Sequence, residues 1–419
     1  MSVAQPSPPT PHKRRAFYGL PIVSWVIYRL TWWFVYGVDR VFFRTRTRGL
    51  ETFPDTGPVL LLSNHVGMLD PFQVALHPYR PSRFMAATSI FKIPLIGPWM
   101  RALGAFPKMK YVKDRDSMRT LASHYDAGHV VTLFPEGVRT WTGEPMPILP
   151  GIGRLIKRLD ARVMFGRIES GYFFHPRWAR YPRFVPLEIS YQGPFHYPGE
   201  LTAEEIAEDV RQRLDIRPSR DKRRFAWGFR LAEGLPDLLW ACPACMEADA
   251  LEVPRADRDT VRCSHCSATW RVDIDTVLNG IGDAPTLTVH EAHEAIEAHF
   301  GSPAVLDRAR FESDGTIGTH PDVTVRLMPR SGAPTVAASG PMVVDTRGIH
   351  IGGTPDAPEW TLPMSDVLSV STEVGDQLFL RRRDASDRGL LFRLEVTPQS
   401  TYKWGCILQS WKRHFTPIT

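Results

Sequence analysis

Cysteine is scarce in this chain, with five among 419 residues. Four of them stand as two C-x-x-C pairs, Cys242/Cys245 and Cys263/Cys266. That usage excludes a disulfide-stapled framework and points to metal in a reducing compartment. Long apolar runs are missing too. The most apolar stretch, residues 17–43, is interrupted by Arg29, Asp39 and Arg40. No uncharged segment reaches the ~18 residues a membrane-spanning helix needs. No signal-peptide pattern opens the sequence, and no internal repeat is evident. Charge is lopsided only mildly. A net +6 suits an anionic membrane, a nucleic acid or an acidic substrate equally well. Two or three domains are expected at this length, and 37 prolines imply many loops between them.

What is present centres on residues 58–70. The apolar run 58–62 reads as a fully buried strand. After it come Asn64, His65, Val66, Gly67, Met68, Leu69 and Asp70. Asp70-Pro71 reads as a helix start, with Asp70 as N-cap and Pro71 at the first helical position. His65 then lies in a loop at the C-terminal end of a strand, where open α/β sheets place their ligands. With Gly67 in it, this loop can fold back and bring the Asp70 carboxylate to the imidazole. A carboxylate on one ring nitrogen fixes the tautomer and makes the other a better base. The plainer alternative makes His65 a satisfied polar residue and Asp70 only a cap. A second β-branched run, 130–134, ends in Pro135-Glu136-Gly137-Val138-Arg139-Thr140. It adds a carboxylate, a glycine and a guanidinium at the end of another buried strand.

The ordered pair N-H-x-x-x-x-D and F-P-E-G-x-R-[ST] resembles the glycerolipid (1-acylglycerol-3-phosphate, or lysophospholipid) acyltransferase superfamily. The resemblance covers residues 45–215. It implies transfer of a fatty acyl group from an acyl thioester, acyl-CoA or acyl-carrier protein, to a hydroxyl of a lysophospholipid or glycerol phosphate. His65 and Asp70 are then catalytic, as base and orienting carboxylate. Asn64, Lys110, Glu136, Gly137 and Arg139 are substrate-binding: Arg139 and Lys110 hold the acceptor's phosphate, and Glu136 orients Arg139 or the loop. Two departures from the family pattern stand out. Lys110 occupies a position where the family carries arginine, which removes the planar fork. The fourth block reads Val163-Met164-Phe165-Gly166-Arg167-Ile168 instead of a Val-Pro strand. Beyond it, Arg177, Arg180 and Arg183, interleaved with Trp178 and Tyr181, suit a headgroup-facing rim or an ordinary basic surface.

The flanking segments complete the expected layout. Residues 1–15 read as a disordered basic arm and 16–44 as an interfacial membrane helix, with Trp25, Trp32 and Trp33 at headgroup level. A buried core helix is the alternative for that segment. Residues 45–235 form an α/β acyltransferase domain with a mainly parallel sheet and a basic connector; a capping box at Thr202/Glu205 starts its last helix. The cysteine spacing in 236–275 matches a zinc ribbon in which Cys242, Cys245, Cys263 and Cys266 hold a structural Zn²⁺, leaving His265 out. Residues 276–302 read as a helical linker with surface histidines His290, His293 and His299. Residues 303–419 read as a β-rich, pleckstrin-homology-like domain ending in a helix, fit for a lipid headgroup or protein partner. The whole reads as a peripheral enzyme on the cytoplasmic face of the cell membrane. Nucleic acid is not an expected partner, because the basic connector lacks interleaved base-stacking aromatics. The rival reading is a non-catalytic lipid-binding or scaffold protein on the same fold.

Overall fold

The structure is a computed structural model that describes residues 21–109, 114–218, 226–302, 316–329, 333–345, 347–353, 358–373, 377–383, 390–396 and 401–415. The expected arm at 1–15, Lys110, and Arg220, Lys222, Arg223 and Arg224 of the connector lie outside the described residues. The chain divides into two compact units. The first takes the described residues up to Gly228 other than Trp178–Tyr181; the second takes those four and everything from Phe229 on.

In the first unit a 20-residue helix, α1 (Ile22–Val41), precedes the sheet. Seven strands follow: β1 (Arg46–Arg48), β2 (Val59–Ser63), β3 (Ser82–Ala87), β4 (Ala105–Lys108), β5 (Val130–Leu133), β6 (Val163–Ile168) and β7 (Glu188–Phe195). They form one sheet in the order β1-β7-β6-β2-β5-β3-β4. All neighbours are parallel except β6 and β7. The central strand β2 is buried along its whole length, as its unbroken Val-Leu-Leu-Leu run requires when both faces are covered. Leu60 and Leu62 point into a core shared with α4 (Arg115–Asp126), α5 (Ile152–Leu159) and α7 (Ala203–Arg213). The α7 capping box forms as expected, with the Glu205 N–H donating to Thr202 Oγ1 at 3.1 Å and the Thr202 N–H donating to Glu205 Oε2 at 2.8 Å.

The opposite face carries α2 (Asp70–Leu76). It sits so close to β6 that a Cβ at Gly166 would lie 2.2 Å from Val74 Cγ2. The Tyr191 hydroxyl donates to the Val74 carbonyl at 2.9 Å. Glycine in the departing fourth block is therefore what lets α2 seat on the sheet.

The N-terminal helix has a packed side and an exposed apolar side. One side of α1 packs inward through Tyr28 and Thr31, Trp32 Nε1 donates to the Leu76 carbonyl at 2.7 Å, and His77 Nε2 meets Asp39 at 3.1 Å. The other side exposes Ile22, Val23, Val26, Leu30, Trp33 and Phe34, a single stripe at helical spacing. Of the three tryptophans expected outward, only Trp33 is exposed; Trp25 and Trp32 pack in the α1 core cluster. Arg29, which breaks the apolar run, stacks 4.2 Å over the Tyr79 ring. No helix among the described residues is long and apolar enough to cross a membrane.

The second unit holds two antiparallel sheets. After a short helix, α8 (Leu235–Leu238), come β8 (Leu251–Glu252), β9 (Thr260–Cys263), β10 (Thr269–Val272), β11 (Val277–Ile281) and β12 (Leu287–Thr288) in the order β12-β11-β10-β9-β8. The segment expected to be a helical linker thus opens on two strands, because β11 pairs with β10 and buries Val277 and Leu278. Only then does α9 (Val289–Phe300) begin, under a Thr288/Glu291 capping box. His293 corrects the surface assignment: it is buried, and its Nε2 lies 2.7 Å from the Tyr402 hydroxyl.

Seven further strands make the last sheet. They are β13 (Thr316–Met328), β14 (Thr335–Asp345), β15 (Gly348–Ile351), β16 (Trp360–Pro363), β17 (Val367–Glu373), β18 (Gln377–Arg382) and β19 (Leu390–Val396), ordered β16-β15-β14-β13-β19-β18-β17. The β-rich character expected of this region is present. β13 is long because register shifts at Thr316/Gly318 and His320/Val323 leave Ile317 and Pro321-Asp322 out of the pairing without ending it. The closing helix α10 (Thr401–Phe415) buries Trp404, Leu408 and Trp411 in this sheet's core.

Candidate functional site

β2 and β5 are parallel neighbours, so the loops that leave their C-terminal ends lie side by side. The first loop folds back as its sequence allows, and the Asp70 carboxylate is the reason. Its Oδ2 accepts the Val66 N–H at 2.6 Å and the Gly67 N–H at 2.8 Å, and it meets His65 Nδ1 at 2.9 Å. A Cβ on Gly67 would approach Asp70 Oδ1 to 3.1 Å, so glycine keeps this turn close. The helix begins at Asp70 itself with Leu69 in the cap position, which corrects the N-cap assignment. Asp70 turns its side chain back to the loop rather than forward to its own helix. His65 is one-fifth exposed and Asp70 is buried, and the imidazole stacks on Phe134 at 4.3 Å. With Nδ1 facing a carboxylate, Nε2 is the ring's basic nitrogen.

Asn64 does something other than the expected substrate contact. Its amide donates to the Ile168 carbonyl at 3.0 Å and accepts the Ile168 N–H at 2.9 Å. Both polar ends are thereby used to clamp the His65 loop to the end of β6.

Glu136 orients the loops, not Arg139. Its Oε1 accepts the His65 N–H at 3.1 Å and its Oε2 accepts the Met146 N–H at 3.3 Å. Burial pushes its carboxyl up to about 8, against the pull of those two N–H groups and with a further push from Asp70. Near neutral pH it is mostly protonated, which spares the site a second carboxylate charge. Gly137 closes the turn by donating to the Phe134 carbonyl at 3.0 Å, with φ +75°. That is left-handed backbone in which a side chain is strained, and a Cβ there would also meet Leu149 at 2.9 Å.

The Arg139 side chain is half-buried, and the backbone after it is fastened on both sides. The Thr140 N–H donates to the His65 carbonyl at 3.0 Å. The Tyr172 hydroxyl donates to the Trp141 carbonyl at 3.2 Å, and Arg177 Nη1 to the Arg139 carbonyl at 3.0 Å. The expected cationic rim is corrected here. Arg177 and Arg183 are buried, as is Trp178, and of the three arginines only Arg180 is exposed. The segment turns inward because its aromatics pack and the Arg183 N–H bonds the Phe174 carbonyl at 2.7 Å. Thr140, Tyr172 and Phe134 escaped the sequence reading. Phe134 and Thr140 left a signal, as the first and last residues of the second motif; Tyr172 left none.

In the second unit the four cysteines converge. The Sγ atoms of Cys242 and Cys266 are 3.8 Å apart, as are those of Cys245 and Cys263, and all four lie within 4.8 Å of one another. A disulfide would hold sulfurs at about 2.05 Å. A tetrahedron with Zn–S bonds of about 2.3 Å has edges near 3.8 Å. The N–H groups of Ala244 and Cys266 point at Cys242 and Cys263 sulfurs, each at 3.4 Å, as charge on thiolates would favour. The residues therefore fit a four-thiolate metal site, and exposed His265 is outside it.

Residues 44–166 match the family model described as Acyltransferase. An uncharacterized protein of Mycobacterium leprae is 29% identical over 156 residues, 35% of this chain and 36% of the relative. The chloroplastic 1-acyl-sn-glycerol-3-phosphate acyltransferase of Brassica napus is 32% identical over 113 residues, 26% of this chain and 33% of the relative. The chain thus spans about a third of the length of the curated relatives it matches. The solved 1-acyl-sn-glycerophosphate acyltransferase of Thermotoga maritima is 19% identical, with a TM-score of 0.40 over 46% of this chain and 78% of that one.

Proposed function

We propose, on the premise that residues 44–166 belong to the acyltransferase family of the glycerolipid superfamily, that the protein moves a fatty acyl group from an acyl thioester to a hydroxyl of a phosphate-bearing glycerolipid acceptor. The observation that carries this reading is the 2.9 Å His65–Asp70 pair at the mouth of the parallel sheet. Neutral His65 takes the acceptor's hydroxyl proton at Nε2 as that oxygen attacks the thioester carbonyl. The C–O bond forms, the C–S bond breaks, and the imidazolium returns its proton to the leaving thiolate. Asp70 holds the ring and stabilises its charged form. Positioned base catalysis of this kind is worth about 10²–10⁴ in rate. A thioester is already activated, so no acyl-enzyme is needed. Arg139, with Lys110, holds the acceptor's phosphate. The donor is acyl-CoA or an acyl-carrier protein.

Lysolipids and acyl chains partition into bilayers, and the exposed stripe of α1 supports a peripheral enzyme lying on the cytoplasmic face of the membrane. Cys242, Cys245, Cys263 and Cys266 hold a structural Zn²⁺ in a ribbon that runs on through β12. The seven-stranded sheet capped by α10 is pleckstrin-homology-like and serves as an accessory domain toward a lipid headgroup or protein partner.

The test is acyl-CoA turnover against a panel of lysophospholipids and glycerol 3-phosphate, by wild type and His65→Ala. Turnover of a phosphate-bearing acceptor by wild type, with the variant down by about 10² or more, supports the reading. A folded wild type that turns over none puts the scaffold reading in its place.

A further inference from the structure

The Arg139 backbone is held from behind by a second arginine. Arg177 is 6% exposed, its guanidinium lies 3.9 Å over the Trp141 ring, and its Nη1 donates to the Arg139 carbonyl at 3.0 Å. The neighbouring Trp141 carbonyl accepts from the Tyr172 hydroxyl, and the intervening Thr140 N–H reaches the His65 carbonyl. Three consecutive residues, 139–141, are thus pinned from two directions, to the base loop on one side and to residues 172–177 on the other. Such a short pinned segment has few ways to move, and the side chain of Arg139 leaves from its first residue.

We infer that Arg177 is a positioning residue for acceptor recognition: through the Arg139 carbonyl and the Trp141 ring it fixes where the Arg139 guanidinium meets the acceptor's phosphate relative to His65. The inference rests on the acyltransferase reading for what the site binds, and it adds the residue that sets specificity for phosphate-bearing acceptors. Planarity is what the position uses. The guanidinium stacks on an indole and donates in its own plane at once, a combination an ammonium cannot reproduce. Arg177→Lys therefore keeps the charge and loses the geometry. The long-range field of a buried cation beside the loop adds to anion attraction but does not orient it.

The experiment is equilibrium binding of glycerol 3-phosphate and a lysophosphatidate, measured alongside turnover, for wild type, Arg177→Lys, Arg177→Gln and Arg180→Gln. Arg180 is an exposed cation paired with Asp237 at 2.9 Å, so its variant controls for general loss of charge. Expected is a rise of about tenfold or more in Kd and KM for the phosphate-bearing acceptor in Arg177→Gln. A smaller rise is expected in Arg177→Lys and none in Arg180→Gln. KM for the acyl thioester stays unchanged, and preference over a phosphate-free monoacylglycerol shrinks. Folded Arg177 variants that bind phosphate as wild type does overturn the inference, as does an equal loss for acceptors with and without phosphate. So does a wild type that binds neither phosphate compound. A wild type that binds them but transfers no acyl group contradicts the acyltransferase reading alone, and the Kd values still decide the role of Arg177.

Discussion

Among the described residues, two His–Asp pairs share the same sequence separation and the same contact distance, one in each unit. His65 and Asp70 meet at 2.9 Å, and so do His350 and Asp345. Their surroundings differ. His350 uses both ring nitrogens, Nε2 on Asp345 and Nδ1 3.3 Å from the Thr361 hydroxyl. Asp345 in turn takes the Arg347 guanidinium and the N–H groups of Arg347 and Gly348. Burial works to raise its pKa, but these donors, Arg347 foremost, leave it lowered. That pair is a closed knot at a strand turn. The first sits at the ends of two parallel strands, with one ring nitrogen on a carboxylate and an arginine-bearing loop alongside. The pair alone does not make a candidate site; the second nitrogen and the neighbouring loop distinguish the first from the second.

Breaking each pair should separate the two roles. Asp70→Asn is expected to cut turnover by about 10²–10⁴, and Asp345→Asn is expected to leave turnover unchanged; steady-state rates with saturating acceptor check both. The proposed four-thiolate site sharpens the contrast, because it lies wholly in the second unit. Cys263→Ser, or strong chelation, should abolish stoichiometric zinc by mass spectrometry and lower the melting temperature of the second unit, while the Val59–Ser63 sheet retains its hydrogen-exchange protection.

Glu136 supplies a pH test of the first site. Its carboxyl lies at about 8 when folded, above the ordinary 4.5. A raised acid contributes stability that is complete below the unfolded value and is lost as pH rises through the folded one. Glu136→Gln removes that loss. Relative to wild type it should gain on the order of a few kcal/mol between pH 5 and pH 9, read as a growing difference in denaturant midpoints. Below pH 5 it should be slightly the weaker, because an amide cannot accept both N–H bonds. The smallest effect is expected at the second pair. His350→Ala should cost about 1–3 kcal/mol of stability in its own unit, measured by urea unfolding, with catalytic rates unaltered.

Much of this was legible because it is written in local chemistry. The Leu-rich run of β2, the Gly67 turn, the Glu136-Gly137 loop and the cysteine spacing each name a structure by themselves. Even the strands of the last sheet show, since their alternation is regular. What the sequence hid depends on distant partners. Nothing local says that Asn64 is used up on Ile168, 104 residues away, or that Gly166 must be small because Val74 arrives there. Arg177 read as surface because arginine usually is; its burial follows from an indole and a carbonyl in a loop about 36 residues earlier. The α1 helix was ambiguous for a physical reason, being apolar on its packed side and on its exposed side alike.

The proposed role of His65 as the base is tested most directly by setting the two pairs against each other in one assay. Acyl transfer from acyl-CoA to a lysophosphatidate is measured for wild type, His65→Ala and His350→Ala, each verified as folded. A loss of about 10² or more is expected for His65→Ala and none for His350→Ala. Equal rates for wild type and His65→Ala would contradict that role.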